Sequence, residues 1–148
     1  MTRQRLLSLA IGTALVFTAA TAGAQAPPPP PYGPGITLDQ AKKAMAGAEA
    51  EAKKNNWPVV ITILDSGGNL VMSQRLDGAQ FGSVEVARDK AYSAVAFRRP
   101  TKAFEDGLAQ GGANLRLLNL KGASMLDGGW PIIQTATGAG NPWGGPGV

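Results

Sequence analysis

Between Lys90 and Lys102 the chain reads Lys-Ala-Tyr-Ser-Ala-Val-Ala-Phe-Arg-Arg-Pro-Thr-Lys, and this stretch holds three kinds of group that a site for an apolar anion needs. Lys90, Arg98, Arg99 and Lys102 are cations suited to carboxylates. Tyr92, Phe97 and the small aliphatic residues offer apolar surface. The oxygens of Tyr92, Ser93 and Thr101 are candidate metal ligands. Arg98, Arg99 and Lys102 also stand at the entry to a predicted helix, whose first N–H groups attract anions. The plainer alternative is a solvated basic junction between two helices.

Two further constellations carry charge. Arg75, Asp77 and Lys90 either form an ion pair across a strand-to-helix junction, or leave Arg75 and Lys90 as cations for a ligand carboxylate. Glu85 and Asp89, one helical turn apart, could hold a hard cation weakly, although a solvated acidic face explains them as well. Met72 and Met125 add thioethers that serve in a core or as soft ligands.

The chain has no Cys and no His. Disulfides, thiol nucleophiles, Cys/His zinc sites and His-dependent triads are therefore excluded. Any acid–base catalysis would fall to Asp, Glu, Lys or Tyr, and no spacing marks such a group, so the sequence leans away from an enzyme. Gly67-Gly68 is no phosphate loop, because a strand rather than a helix follows it.

The elements that must position these residues are legible. Thr37-Leu38-Asp39-Gln40 is a capping box, and Ala41, Ala44, Met45, Ala48 and Ala52 recur at helical spacing, which predicts a helix over 38–54 with Glu49 and Lys53 paired on its wet side. Val59–Leu64 reads as a central strand. Asp65-Ser66-Gly67-Gly68-Asn69 supplies a turn, and 70–76 returns as a second strand of a hairpin. Ser83 is expected to cap a helix ending near Phe97, and Thr101 a shorter one from Lys102 to Ala109. Residues 115–120 are apolar but of no evident type. Trp130-Pro131-Ile132-Ile133 is predicted to be a strand with its proline near the start.

The N-terminus has a different character. Arg3 and Arg5, an apolar run from Leu6 to Ala20 and small residues up to Ala24 form the three parts of a cleavable export signal, a run too short to read first as a bilayer span. Cleavage is expected before Gln25, since proline would follow the competing site. Two positive charges leave with the signal, so the formal net charge of +4 falls to +2 in the mature chain. A nucleic-acid partner then lacks its basic patch, and no membrane association is expected after cleavage. The layout is thus a signal at 1–24, a proline-rich spacer at 25–36, one domain at 37–133, and a Gly/Pro-rich tail at 134–148 that is too polar and flexible to order. The spacer's five consecutive prolines and Tyr32 form a stiff polyproline II tether; docking to an aromatic-lined groove is the lesser alternative.

The domain resembles the GlcG-like and HbpS-like haem-binding (haem-degrading domain) family. The resemblance rests on LDQAKKAMAGAEAEAKKNNWPVVITILDSGGNLV, QRLDGAQ, SVEVARDKAYSAVAF, RRPT and GGWPI, in that order. It implies a single α+β domain, an antiparallel sheet with helices packed on it and similar to profilin-like sensory domains, and a tendency to homo-oligomers. It further implies an exported, periplasmic or extracellular protein that binds haem or a related tetrapyrrole in iron sequestration or sensing. Enzymatic or accessory action on a small carboxylate or diol, and a ligand-free sensory module, are the alternatives.

With haem as cofactor, Arg75, Lys90, Phe97, Arg98, Arg99, Thr101 and Lys102 would hold the macrocycle and its propionates. Tyr92 or Met72 would be the axial candidate. Arg75 and Lys90 match charged positions of the family's R-x-D-G-A and K-A-[TY] motifs. After Ile133 the family pattern of a further strand and an acidic helix gives way to Gln134-Thr135-Ala136-Thr137, so the resemblance implies a sheet with an open edge.

Overall fold

The computed structural model describes residues 31–133. The export signal, most of the proline run and the tail fall outside the described residues. Helix α1 spans Leu38–Lys54, strands β1 and β2 span Val60–Leu64 and Leu70–Arg75, and helices α2 and α3 span Ser83–Phe97 and Lys102–Ala109. A 3-10 helix, Gly112–Asn119, follows. The fold is α+β, with helices packed on an antiparallel sheet.

Helix α1 begins where the sequence says it should. The Gln40 N–H donates to the Thr37 hydroxyl at 3.3 Å, and the Thr37 N–H donates to the Gln40 side chain at 2.9 Å. Such a cap contributes about 1 kcal/mol. Ala41, Ala44 and Met45 are buried with Ile63 of β1, and Ile36, Ile61, Val71 and Met72 pack around them. The alanines let the helix backbone approach the sheet closely, while Met45 and Ile63 supply the bulk, each contributing about 1.5–3 kcal/mol on burial. The Glu49–Lys53 pair forms as expected, at 2.5 Å on the helix exterior.

The hairpin is antiparallel, with Ile61 opposite Gln74 and Ile63 opposite Met72, and a register irregularity between Ile63 and Leu64. Its turn closes on one carboxylate. Asp65 Oδ1 accepts from the N–H groups of Gly67 and Asn69 at 2.8 and 2.9 Å, and Gly68 takes a positive φ of 80°. The Leu76 N–H donates to the Val59 carbonyl. Hydrogen-bonded pairs alternate along an antiparallel ladder, so the N–H and C=O groups of Val60, Thr62 and Leu64 point away from β2. Among the described residues no further strand pairs with β1.

Three local expectations are corrected. Ser83 does not cap α2: the N-cap position is Gly82, with no side-chain cap bond. Thr101 occupies the N-cap position of α3, but its hydroxyl caps nothing there; it accepts instead from the Gly129 N–H at 2.9 Å, 28 residues along the chain. The segment from Trp130 to Ile133 is irregular rather than strand. It faces β1 across a cleft, and among the described residues no strand lies between them for it to pair with.

Candidate functional site

Helix α2 divides its surroundings into two. On one side, the loop over residues 121–129 is fastened to α2 and α3. Ser93 and Thr101, both fully buried, accept from the N–H groups of Ser124 (3.0 Å) and Gly129 (2.9 Å). The Thr101 N–H donates back to the Gly129 carbonyl at 2.9 Å. Glu105 accepts from the Asp127 N–H at 2.9 Å; that bond, followed by the ammonium of Lys102, holds its carboxyl below the usual carboxylate range. Gly129 lies so close to α2 that a Cβ would overlap the Lys90 carbonyl oxygen and come within 2.7 Å of the Thr101 methyl. The two hydroxyls considered as metal ligands are thus committed to holding a loop.

On the other side lies a cleft of about 270 Å³. Its walls are β1 from Thr62 to Leu64 with Asp65 and Ser66 of the turn, and the irregular segment Trp130–Ile133. Ala91, Ala94, Val95 and Arg98 of α2 line it between them, and Pro31–Pro34 and Ile36 border it. Arg98 ends α2 in the left-handed conformation, with φ 52° and ψ 42°. Its guanidinium lies 5.0 Å from the centroid of the Tyr32 ring. The Tyr32 hydroxyl donates to the Ala96 carbonyl at 2.6 Å.

The cations of the junction do not converge. Arg98 reaches the cleft. Arg99 turns away, its Nε donating to the Phe97 carbonyl at 3.2 Å and its guanidinium 5.8 Å from the Phe104 ring. Lys102 pairs with Asp106 and Glu105 of its own helix, which raise its pKa, Asp106 most strongly. Phe97 packs edge-on against Phe104 at 5.2 Å. Lys90 lies against Gly128 on the fastened side of α2.

Tyr92 lies beside the backbone of the two turns at Gly68 and Gly122. It is half exposed and does not line the cleft. Met72 packs on the core beneath α1, and Met125 is half-buried.

Arg75 stands at the far end of β2, where it shares a shallow polar depression with Asp77, Glu49 and Lys53. No ion pair among the described residues joins Arg75, Asp77 and Lys90. Glu85 and Asp89 are exposed on α2, and the described residues contain no cluster of three or more metal-ligating side chains.

Sequence reasoning found Arg98 and missed most of what surrounds it. The small residues of α2 line the cleft as the sequence suggests, but Tyr32 reads there as part of a spacer and Trp130–Ile133 as a strand. One signal was available: an aromatic residue within a proline run is what a segment that docks on a groove looks like.

Haem can be tested against this geometry. Apolar walls with a guanidinium at the rim suit the edge of a macrocycle bearing a carboxylate. The cleft lies just below the ~300–1,000 Å³ typical of pockets that enclose a drug-sized ligand, so it would grip such an edge and leave the rest outside. No Met, His or Cys lines it. The residues fit the organic rim; Tyr32, the residue of a haem-ligand type that lines the cleft, has its hydroxyl engaged with the Ala96 carbonyl.

Comparison with known proteins gives this geometry its context. An uncharacterised 15.0 kDa protein from the dhaT-dhaS intergenic region of Citrobacter freundii is 37% identical over 100 residues, 66% of this chain and 70% of that protein. GlcG of Escherichia coli is 31% identical over 98 residues, covering 66% of this chain and 72% of GlcG. The crystal structure of HbpS superposes with a TM-score of 0.59 at 32% identity, over 84% of this chain and 79% of HbpS. Klebsiella pneumoniae ORFY, of family DUF336, gives a TM-score of 0.59 at 27% identity over 79% and 77% of the two chains. The family model described as "Haem degrading protein HbpS-like" matches residues 36–148. That match, together with the fold shared with HbpS, places the chain in the HbpS-like family.

Proposed function

We propose that this is an exported haem- or tetrapyrrole-binding protein that takes the carboxylate-bearing edge of the macrocycle into the cleft between β1 and Trp130–Ile133. The observation that carries the reading is Arg98, a guanidinium at the rim of an otherwise largely apolar cleft. Family membership supports a haem-related role, and the N-terminal pattern supports export. With Ser93 and Thr101 engaged and Met72 in the core, binding relies on apolar contact and charge rather than on a side-chain bond to iron. Leu115, Leu118 and Leu126, each more than half exposed, support self-association of the exported domain.

The test is a hemin titration followed through the Soret band, with iron-free protoporphyrin IX in parallel. Both should bind with affinities within about ten-fold of each other, because the protein contributes little through iron. An unchanged Soret band overturns the reading. Arg98→Gly is the sharpest variant. It removes the guanidinium at a backbone position that glycine adopts without strain; compared in a Tyr32→Ala background, where loss of the Tyr32 ring contact cannot offset the effect, it should lower hemin affinity by about ten-fold with the denaturation midpoint kept. Arg99→Glu should leave affinity nearly unchanged. If both variants bind as the parent does, the rim assignment fails.

A further inference from the structure

The proline-rich segment is more than a tether. Pro31, Tyr32, Gly33 and Pro34 border the same cleft that Arg98 serves. Tyr32 fastens the segment there twice, through its hydroxyl to the Ala96 carbonyl at 2.6 Å and through its ring beneath the Arg98 guanidinium at 5.0 Å. Ala96 is in the last turn of α2, where carbonyls lack helical partners and accept outside donors readily.

We infer that Tyr32 and its flanking prolines form a tethered occupant of the cleft, a strap that an incoming ligand must displace before its carboxylate reaches Arg98. The inference builds on the proposed function for the ligand's class, but the strap itself is a property of the free protein. Three observations favour displacement over a permanent wall. Tyr32 is 54% exposed although it makes both contacts, so little apolar burial holds it. The Cβ position of Gly33 is open, with nothing within 4 Å, so the residue directly after the ring has room to move. The face that Tyr32 presents to Arg98 is an aromatic π surface, and a carboxylate competes for the same guanidinium with full charge.

The prolines add a reason for the strap to return. Pro31 and Pro34 have φ fixed by their rings and lose little conformational freedom on docking, and the connection to α1 through Ile36 keeps the effective concentration high. Ligand affinity is then reduced by the fraction of time the cleft is open. The strength of the latch, one neutral hydrogen bond and one exposed cation–π contact, corresponds to about a ten-fold effect.

The experiment compares the full chain with Tyr32→Ala and Tyr32→Phe, using hemin and 1-anilinonaphthalene-8-sulfonate, an apolar anion unrelated to haem. Tyr32→Ala should bind the sulfonate dye about ten-fold more tightly than the parent, and hemin likewise if hemin binds at all. Tyr32→Phe keeps the ring beneath Arg98 but loses the hydroxyl, and should fall between them. Tightening for the dye with no hemin binding by any form would sustain the strap while removing the haem reading. Equal dye affinity in all three proteins would overturn the strap. So would weaker binding by Tyr32→Ala, which would make Tyr32 part of the ligand's own site.

Discussion

Helix α2 has two sides built on different terms. Towards residues 121–129 it presents Ser93 and, just beyond its end, Thr101, and each hydroxyl receives a backbone N–H from the loop. Towards β1 it presents Ala91, Ala94 and Val95, with Arg98 at the edge of a cleft. A buried hydroxyl that satisfies a backbone donor is costly to remove, and a glycine without room for a methyl group is costly to change. An alanine facing an open cleft is neither. The chain has concentrated its steric and hydrogen-bonding specificity on one flank and left the other free to meet something else.

The sharpest way to break this contrast is at Gly129. A methyl group there meets the Lys90 carbonyl and the Thr101 methyl, backbone and β-branched atoms that cannot swing aside. Gly129→Ala should cost about 3 kcal/mol, read by chemical denaturation. A loss below about 1 kcal/mol would show that the loop yields and that the flank is not rigid.

The hydroxyls come next. Ser93→Ala and Thr101→Val each leave a backbone N–H without its acceptor, for an expected loss of about 1–3 kcal/mol apiece. Thr101→Ser keeps the acceptor and should recover most of that difference. If Thr101→Ser is no better than Thr101→Val, the methyl group rather than the hydrogen bond holds the loop.

The smallest effect lies at the end of the open flank, where Asp65 closes the hairpin turn and borders the cleft. Its carboxyl is held below the ordinary value of 3.8, chiefly by the Asn69 N–H, then by the Asn69 side chain and, less, the Gly67 N–H. A folded-state value lower than the unfolded one means that this group stabilises the fold above about pH 4 and loses that contribution as pH falls through the folded value. A stability titration from pH 5 downwards should be shallower for Asp65→Asn than for the parent. Identical slopes would mean that the turn bonds do not distinguish the charged carboxyl.

How much of this was legible in the sequence follows the range of the interactions. The capping box at Thr37, the Glu49–Lys53 pair and the Asp65–Asn69 turn are settled by residues within four positions of one another, and all three formed as read. Thr101 was misassigned because its hydroxyl had two candidate acceptor roles, a local one at the start of α3 and a distant one on Gly129. The distant bond prevailed, and a one-dimensional reading cannot weigh it. Trp130–Ile133 was misassigned for a related reason: its composition suits a strand, but a strand needs a neighbour to pair with. At the site, Arg98 was found because charge is visible in sequence. Its partner Tyr32 lies 66 positions away, in a segment whose composition reads as a spacer. Arg99 and Lys102 carry the same charge as Arg98, and only geometry separates the one that faces the cleft from the two that do not.

Among the described residues the outer edge of β1 pairs with no strand, and a cleft bounded by it would act on ligands as a selective filter. Thr62 and Leu64 line it, and their backbone N–H and C=O groups face away from β2. A guest that is hydrocarbon throughout would strip water from those groups and return nothing, at about 1–3 kcal/mol for each one left unmatched. A guest whose perimeter carries carboxylates or amides can replace the lost water along one wall while its apolar body lies against Trp130 and Ile132 on the other. Fatty chains and plain polycyclic hydrocarbons should therefore bind poorly relative to their size, and the preferred molecule is one with a greasy plane and a polar hem.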